Sequence, residues 1–221
     1  YVQPHNYECV NNVVHKNEVQ KKYLEFLKDN NIPIVFAVGP AGTGKTFLAC
    51  HYAIQNYLNE NIDKIIITRP IVSVDEEHGY LPGTLNDKMR PWLRPIYDNF
   101  EKYVSPSYVQ KLIKDEIIEI CPLAYMRGRT FDNCIIIADE MQNSTESQMK
   151  MILTRIGFNS KLIINGDLHQ SDNQRNGLQD FVNKYEVSNT KDKNNIKIVK
   201  FKSNNIQRHP IISTILDIYK S

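Results

Sequence analysis

The feature that most constrains this chain is a glycine-rich stretch between an apolar run, residues 34–38, and a helix-like run, residues 47–54. The stretch fits the phosphate-binding pattern G-x-x-x-x-G-K-[ST]. Its residues are Gly39, Pro40, Ala41, Gly42, Thr43, Gly44, Lys45 and Thr46. Glycines let backbone N–H groups converge on one anion, and a helix N-terminus adds partial positive charge. The pattern therefore predicts a strand, a loop that cradles phosphates (a P-loop) and a helix.

A second stretch supplies the acids that such a loop needs. The apolar run of residues 134–138 ends in Asp139 and Glu140, which is the Walker B pattern. In this reading Lys45 reaches the β- and γ-phosphates, while Thr46 and Asp139 hold Mg²⁺. Glu140 would polarise the attacking water as the general base. The two stretches together predict a Mg²⁺-dependent nucleoside triphosphatase.

Other polar residues fall where they could join this site. Gln170 follows the strand-like residues 161–165 and could sense the γ-phosphate, and Arg208 near the end of the chain is a candidate γ-phosphate contact. Gln20 lies in a predicted helix ahead of the P-loop, where its amide could pair with an adenine edge. The alternative for Gln20 is an exposed helical glutamine. Thr68 and Arg69 end another apolar run, so we expect them in the site and not in the core.

Apolar runs alternate with helix-like stretches along the chain, so right-handed crossovers predict a mainly parallel sheet with helices on both faces. We expect a three-layer α/β/α P-loop fold in one domain, residues 17–221, preceded by an arm, residues 1–16. No Asn-Lys-x-Asp run points to guanine, which favours ATP as the nucleotide.

The composition of the chain limits the classes of protein to which it can belong. The chain has 221 residues, 41% hydrophobic and 24% charged, with a net charge of +2, so a basic binding surface would have to be local. No apolar run approaches the ~20 residues of a membrane span, and we expect no membrane association. The four cysteines are far apart in the chain, which indicates no metal or redox motif and favours a reducing cytoplasm.

Two basic segments have open interpretations. Arg90, Trp92 and Arg94 could form a nucleic-acid surface, but the apolar neighbours of Trp92 favour a core position. Arg127 and Arg129 flank a glycine and suit a phosphate, a neighbouring carboxylate or a solvated loop.

On seven separated motifs the chain resembles the PhoH family, a branch of P-loop ATPases similar to the first motor domain of superfamily-one helicases. A further match is Arg208-His209-Pro210, and the resemblance spans roughly residues 17–219. The motifs are residues 39–46, 68–70, 79–83, 126–131, 139–143 and 153–157, and Gly166-Asp167 with Gln170. One departure is Met141, which stands where the family commonly has alanine.

The resemblance implies a RecA-like core that binds and hydrolyses ATP, with Gln20 on the adenine and Gln170 coupling the γ-phosphate to movement. It also implies a link to RNA metabolism and single-stranded RNA or DNA as a partner. Because the chain has one motor domain, we expect a homo-oligomer, such as a ring. An arginine finger would then come from among Arg127, Arg129, Arg155 and Arg208.

Two other functions remain open at this point. One is a nucleotide-switched adaptor that hydrolyses ATP slowly and regulates a protein partner. The other is a small-molecule kinase, which the absence of a recognisable acceptor-binding lid disfavours.

Overall fold

The structure is a computed structural model, and it describes residues 14–70, 85–168, 170, 176–189 and 193–206, with only the backbone described for 85–92 and 193. Strands and helices alternate along the chain as the sequence predicts. The helices are α1 (Glu18–Lys28), α2 (Lys45–Leu58), α3 (Leu85–Phe100), α4 (Pro106–Lys114), α5 (Glu146–Leu153) and α6 (Gly177–Val187). The strands are β1 (Ile34–Val38), β2 (Lys64–Thr68), β3 (Ile118–Ile120), β4 (Cys134–Ala138), β5 (Lys161–Gly166) and β6 (Ile196–Lys200).

All six strands pair in parallel in the order β3-β2-β4-β5-β1-β6. Strands β1, β4 and β5 are buried along their whole length, as expected for parallel strands covered on both faces. Strand β5 lies between the P-loop strand β1 and the Walker B strand β4. The carboxyl ends of all three therefore meet at one edge of the sheet.

Two apolar clusters fill the spaces between the layers. One face of the sheet packs against helices α1 to α4, and the largest fully buried side chains on that face include Tyr23, Leu27 and Phe100. The opposite face packs against α5 and α6 through residues such as Phe36 and Leu178. The predicted three-layer, RecA-like α/β/α architecture is confirmed.

Local sequence signals explain where the helices begin. Asn17 and Ser105 cap α1 and α4, and the side chain of each accepts a hydrogen bond from the backbone N–H three residues on. Thr145 forms a capping box with Gln148 at the start of α5. Helix α5 ends at Leu153, where the Thr154 hydroxyl donates to the Lys150 and Met151 carbonyls of the last turn.

Several expectations fall on residues outside the described ranges. These are most of the arm, residues 1–13, the motif of residues 79–83, and Arg208-His209-Pro210. Within the described residues, no helix is long and apolar enough to cross a membrane.

Candidate active site

The P-loop joins β1 to α2 and presents the open start of that helix to the carboxyl edge of the sheet. Gly44 is the N-cap of α2, has φ +89° and has no side chain to cap the first turn. A Cβ on Gly44 would lie 2.9 Å from the Gln20 side chain, so the position has little room for any other residue. Uncapped backbone N–H groups at the start of a 14-residue helix suit an anion, which is the fit that a phosphate requires.

Lys45 lies over the loop that it belongs to. Its Nζ donates to the carbonyl oxygens of Gly39, at 2.6 Å, and Pro40, at 2.8 Å. The side chain is buried, so its charge is held beside the start of α2 and not in bulk water. Exchanging carbonyl partners for phosphate oxygens would require only a short movement of the ammonium group.

Thr46 and Asp139 bring the two sequence motifs together. The Thr46 hydroxyl donates to Asp139 Oδ1 at 2.9 Å, across 93 residues of sequence. Burial raises the pKa of the Asp139 carboxyl and the neighbouring Glu140 raises it further, whereas Thr46, Arg69 and Asn165 lower it. A hydroxyl and a carboxylate are hard oxygen donors, which Mg²⁺ uses together with phosphate oxygens and water. The residues present therefore fit this ion.

Glu140 stands just beyond the end of β4 in a left-handed backbone conformation, φ +53°. Few non-glycine residues adopt this conformation, and it turns the carboxylate toward the cleft. Oε2 accepts a hydrogen bond from Gln142 Nε2 at 2.6 Å, and Oε1 lies 3.8 Å from the Arg69 guanidinium. The carboxylate is partly exposed, as a group that must reach a water molecule has to be.

These residues line one cleft of about 220 Å³ at the carboxyl edge of the sheet. The predicted Gln170 is exposed and lies at its rim. The residues that line the cleft are Ala41, Gly42, Gly44, Lys45, Thr46, Phe47, Asn99, Asp139, Glu140, Gly166, Asp167 and Gln170. Phe47 and Asn99 were not predicted. Phe47 directly follows the P-loop pattern, whereas Asn99 comes from α3 and no local sequence signal marks it.

Gln20 is buried against the P-loop, at 4% exposure, so the alternative of an exposed helical glutamine is wrong. Its Nε2 donates to the Thr43 carbonyl at 3.0 Å, and its Oε1 accepts from the Lys16 backbone at 2.8 Å. Both ends of the amide are thus engaged with the chain itself. Contact with an adenine stays a prediction.

The structure separates the two residues expected at the end of β2. Thr68 is buried and is absent from the cleft lining, so its assignment to the site is wrong. The alternation of side chains along β2 places Thr68 on the face opposite that of Ile65 and Ile67, away from the face of the sheet that carries α2. Arg69, one residue on, reaches Glu140 as described above.

The basic segments are engaged within the chain where they are described. Arg129 pairs with Glu119 at 2.5 Å, which is the carboxylate alternative, and its guanidinium lies over the Phe131 ring. Arg155 donates to the carbonyls of Met151 and Arg129. Arg208 and the side chains of Arg90 and Trp92 lie outside the described part of the chain.

Comparisons with known proteins identify a family for this chain. The model of the family described as PhoH-like protein matches residues 12–220. A PhoH-like protein of Synechocystis is 41% identical over 206 residues, covering 91% of this chain and 60% of the relative. Protein PhoH of Escherichia coli K12 is 38% identical over 212 residues, covering 94% and 58%. The chain thus spans less than two thirds of the length of these curated relatives.

Among solved structures, the large terminase of bacteriophage HK97 superposes with a TM-score of 0.54 at 12% identity, covering 87% of this chain and 40% of the terminase. At that level of identity the likeness concerns the fold alone.

Proposed function

The chain belongs to the PhoH-like protein family, and from this membership we propose that it is a Mg²⁺-dependent ATPase whose turnover is linked to RNA. The α/β/α fold and the family are established by the structure and the comparisons, whereas nucleotide binding belongs to the proposal. Hydrolysis, the link to single-stranded RNA or DNA and the assembly of an oligomer are parts of the proposal. Because the chain spans about 60% of its curated relatives, any activity of a longer protein is part of the proposal as well.

The observation that carries the ATPase proposal is the 2.9 Å hydrogen bond between Thr46 and Asp139. It joins the first turn of α2 to the end of β4, so a phosphate on the P-loop would lie next to two oxygen donors for a metal. Glu140 follows Asp139 directly and lines the same cleft. An accidental glycine-rich turn would have no reason to meet an acidic pair across the sheet.

Several residues of the cleft have separate roles in the proposed hydrolysis of ATP. The start of α2 and Lys45 would bind phosphate oxygens, and Thr46 with Asp139 would hold the metal ion. Mg²⁺ would neutralise charge that builds up on the phosphate oxygens. Glu140 orients a water molecule and accepts its proton at the carboxylate. Gln170, at the rim of the cleft, contacts the γ-phosphate.

The RNA part of the proposal rests on the family resemblance. It is compatible with a motor that closes around ATP only when a second face is present, which here a neighbouring subunit would supply. The adaptor function predicts hydrolysis that is slow and indifferent to nucleic acid, and the same assay separates the two.

The test is steady-state ATP hydrolysis with Mg²⁺, with and without single-stranded RNA, for the wild type, Lys45→Ala and Glu140→Gln. We expect RNA to raise turnover, with a salt dependence that reflects phosphate contacts. Lys45→Ala should lose nucleotide binding. Glu140→Gln should retain binding and lose about 10²-fold or more in kcat, because it removes the general base.

Binding measured by titration with a fluorescent ADP separates the two variants. The matched control is Lys111→Ala, which removes an exposed lysine of α4 that does not line the cleft. Hydrolysis that ignores RNA would favour the adaptor. A wild type that neither binds nor hydrolyses ATP would overturn the ATPase assignment itself.

A further inference from the structure

Gln142 joins the two strand ends that form the floor of the cleft. Its Nε2 donates to Glu140 Oε2 at 2.6 Å, and its Oε1 accepts from the Asp167 backbone N–H at 3.0 Å. The first bond lies at the end of β4 and the second at the end of β5. A backbone N–H can only donate and an ionised carboxylate can only accept, so the two partners leave one orientation for the amide.

The surroundings hold this side chain in place. Gln142 is 2% exposed and lies in a short 3₁₀ turn, Met141–Asn143. The Ser144 hydroxyl closes that turn with a 2.6 Å hydrogen bond to the Met141 carbonyl. A Cβ on Gly166 would lie 2.8 Å from Gln142 Oε1, so β5 passes against the amide with no space between them. A buried amide with both ends bonded is costly to displace.

We infer that Gln142 is a positioning residue for hydrolysis: it holds the Glu140 carboxylate in its working orientation and ties that orientation to the end of β5. The inference rests on the proposed ATPase function. It adds a residue to which the sequence analysis gave no role of its own.

The tie to β5 also reaches Gln170. The Gln170 backbone N–H donates to the Asp167 carbonyl at 3.2 Å. The Gln142 amide therefore links the Glu140 carboxylate to Asp167, the residue to which Gln170 is itself bonded.

Three variants test this role. Gln142→Met removes both hydrogen bonds at similar volume, and Gln142→Glu keeps the acceptor for Asp167 but sets a second carboxylate against Glu140. The third is the exchange of the pair, Glu140→Gln with Gln142→Glu. We expect kcat of Gln142→Met to fall about 10- to 100-fold, as a misplaced catalytic group does, with the Kd of Mg-ADP nearly unchanged.

The decisive measurement is a double-mutant cycle in single-turnover hydrolysis. Because Gln142 acts through Glu140, adding Gln142→Met to Glu140→Gln should cost little further rate, whereas a separate structural role would make the two losses multiply. A second readout does not depend on activity. The exchanged pair should recover the thermal stability lost in Gln142→Glu while remaining inactive, because one amide and one carboxylate again face each other.

The matched control is Gln179→Met, in the first turn of α6, which should keep wild-type kcat. Wild-type kcat in Gln142→Met, or losses that multiply in the cycle, would overturn the role of Gln142 and leave the ATPase proposal standing. If Gln142→Met does not fold, the other two variants test the role. Gln142→Glu should then lose both rate and thermal stability, and an exchanged pair that does not recover the stability would overturn the role of Gln142. A wild type without hydrolysis would overturn the ATPase proposal, and this role with it.

Discussion

At the scale of single residues, Lys161 is a buried cation that fastens helix α1 to the sheet. It begins β5, and its Nζ donates to the carbonyls of Leu27, at 2.6 Å, and Asp29, at 2.9 Å, with Phe26 at 3.3 Å. These are carbonyls at the end of α1 that have no partner inside the helix, and a cation there also complements the helix dipole. Burial nevertheless lowers the pKa of Lys161 to about 8.

The first residue-scale prediction is that Lys161→Met lowers the free energy of unfolding by about 2 kcal/mol, since it removes the donor from the buried Leu27 carbonyl and from the partly buried Phe26 carbonyl. Urea unfolding at pH 7 measures it. The control is Lys150→Met on the exposed side of α5, which should change stability little. Equal losses in the two variants would contradict the prediction.

The contribution of Lys161 to the free energy of unfolding depends on pH with a definite sign. Below about pH 8 Lys161 is charged in both the folded and the unfolded chain and contributes no slope. Between about pH 8 and the ordinary value of 10.5, the unfolded chain keeps the proton that the folded chain has lost. The contribution of Lys161 to the free energy of unfolding therefore rises with pH across this window. Unfolding of Lys161→Met should lack that rise.

The residues proposed to bind phosphate and metal were predictable because each chemistry demands particular side chains at fixed spacing. Lys45, Thr46, Asp139 and Glu140 were all found in this way, and the structure brings them into one cleft. The position of Asn99 and the two hydrogen bonds of Gln142 were not predictable, because they depend on how α3 and β5 pack. Thr68 was misassigned because a polar residue at a strand end can lie on either face of the sheet.

At the scale of elements, the edge strand β6 is pressed against the start of the P-loop. Gly39 has φ +139°, and a Cβ there would lie 2.3 Å from the Phe201 carbonyl oxygen. The Phe201 backbone N–H donates to Val38 at 2.7 Å, and its ring meets the edge of Tyr23. The close approach of these two backbones lets β6 continue its pairing with β1 beside the loop.

We therefore predict that Gly39→Ala separates β6 from β1 and costs about 2–4 kcal/mol, since it combines a strained φ with a backbone clash. Gly128→Ala is the matched control, because Gly128 also has a positive φ, +79°, but nothing lies within 4 Å of its Cβ position. It should show the conformational strain alone. Chemical denaturation of both variants gives the difference, and similar losses would argue against the close approach of β6.

The elements themselves were largely predictable, because buried parallel strands are continuous apolar runs and caps mark helix starts. The order of the strands was not. Nothing local in Lys161–Gly166 says that this strand enters between β1 and β4, since that placement follows from how the crossover helices pack on the two faces.

At the scale of the whole molecule, the question is what completes the nucleotide cleft. Arg129 and Arg155 make their hydrogen bonds within the subunit, and Arg208 lies outside the described residues. Arg127 is exposed, in the loop that follows β3. Of the described arginines proposed as a finger, it is the one best able to reach a neighbouring subunit.

We predict that the protein forms an oligomer with ATP and Mg²⁺ in light scattering, and that Arg127→Ala lowers turnover about a thousandfold with nucleotide binding intact. Mixing Arg127→Ala with Lys45→Ala should restore part of the activity, because the second variant offers Arg127 to the intact site of the first. The control is Arg94→Ala, whose exposed side chain pairs with Asp98 and Glu101 on or near its own helix. A strictly monomeric protein, with and without ATP, would contradict the prediction.

The position of β5 has a consequence for the order of events during synthesis. Both neighbours of β1 in the sheet, β5 and β6, come after residue 160, whereas β2, β3 and β4 can pair with one another earlier. A nascent chain that already carries the P-loop and the Walker B acids therefore holds a wholly apolar strand with no strand to pair with. Long-range strand pairing of this kind is slow, and the folding intermediates that precede it expose apolar surface and are prone to aggregate. The ribosome must deliver β5 before the sheet can close, so the nucleotide cleft is among the last parts of the molecule to exist.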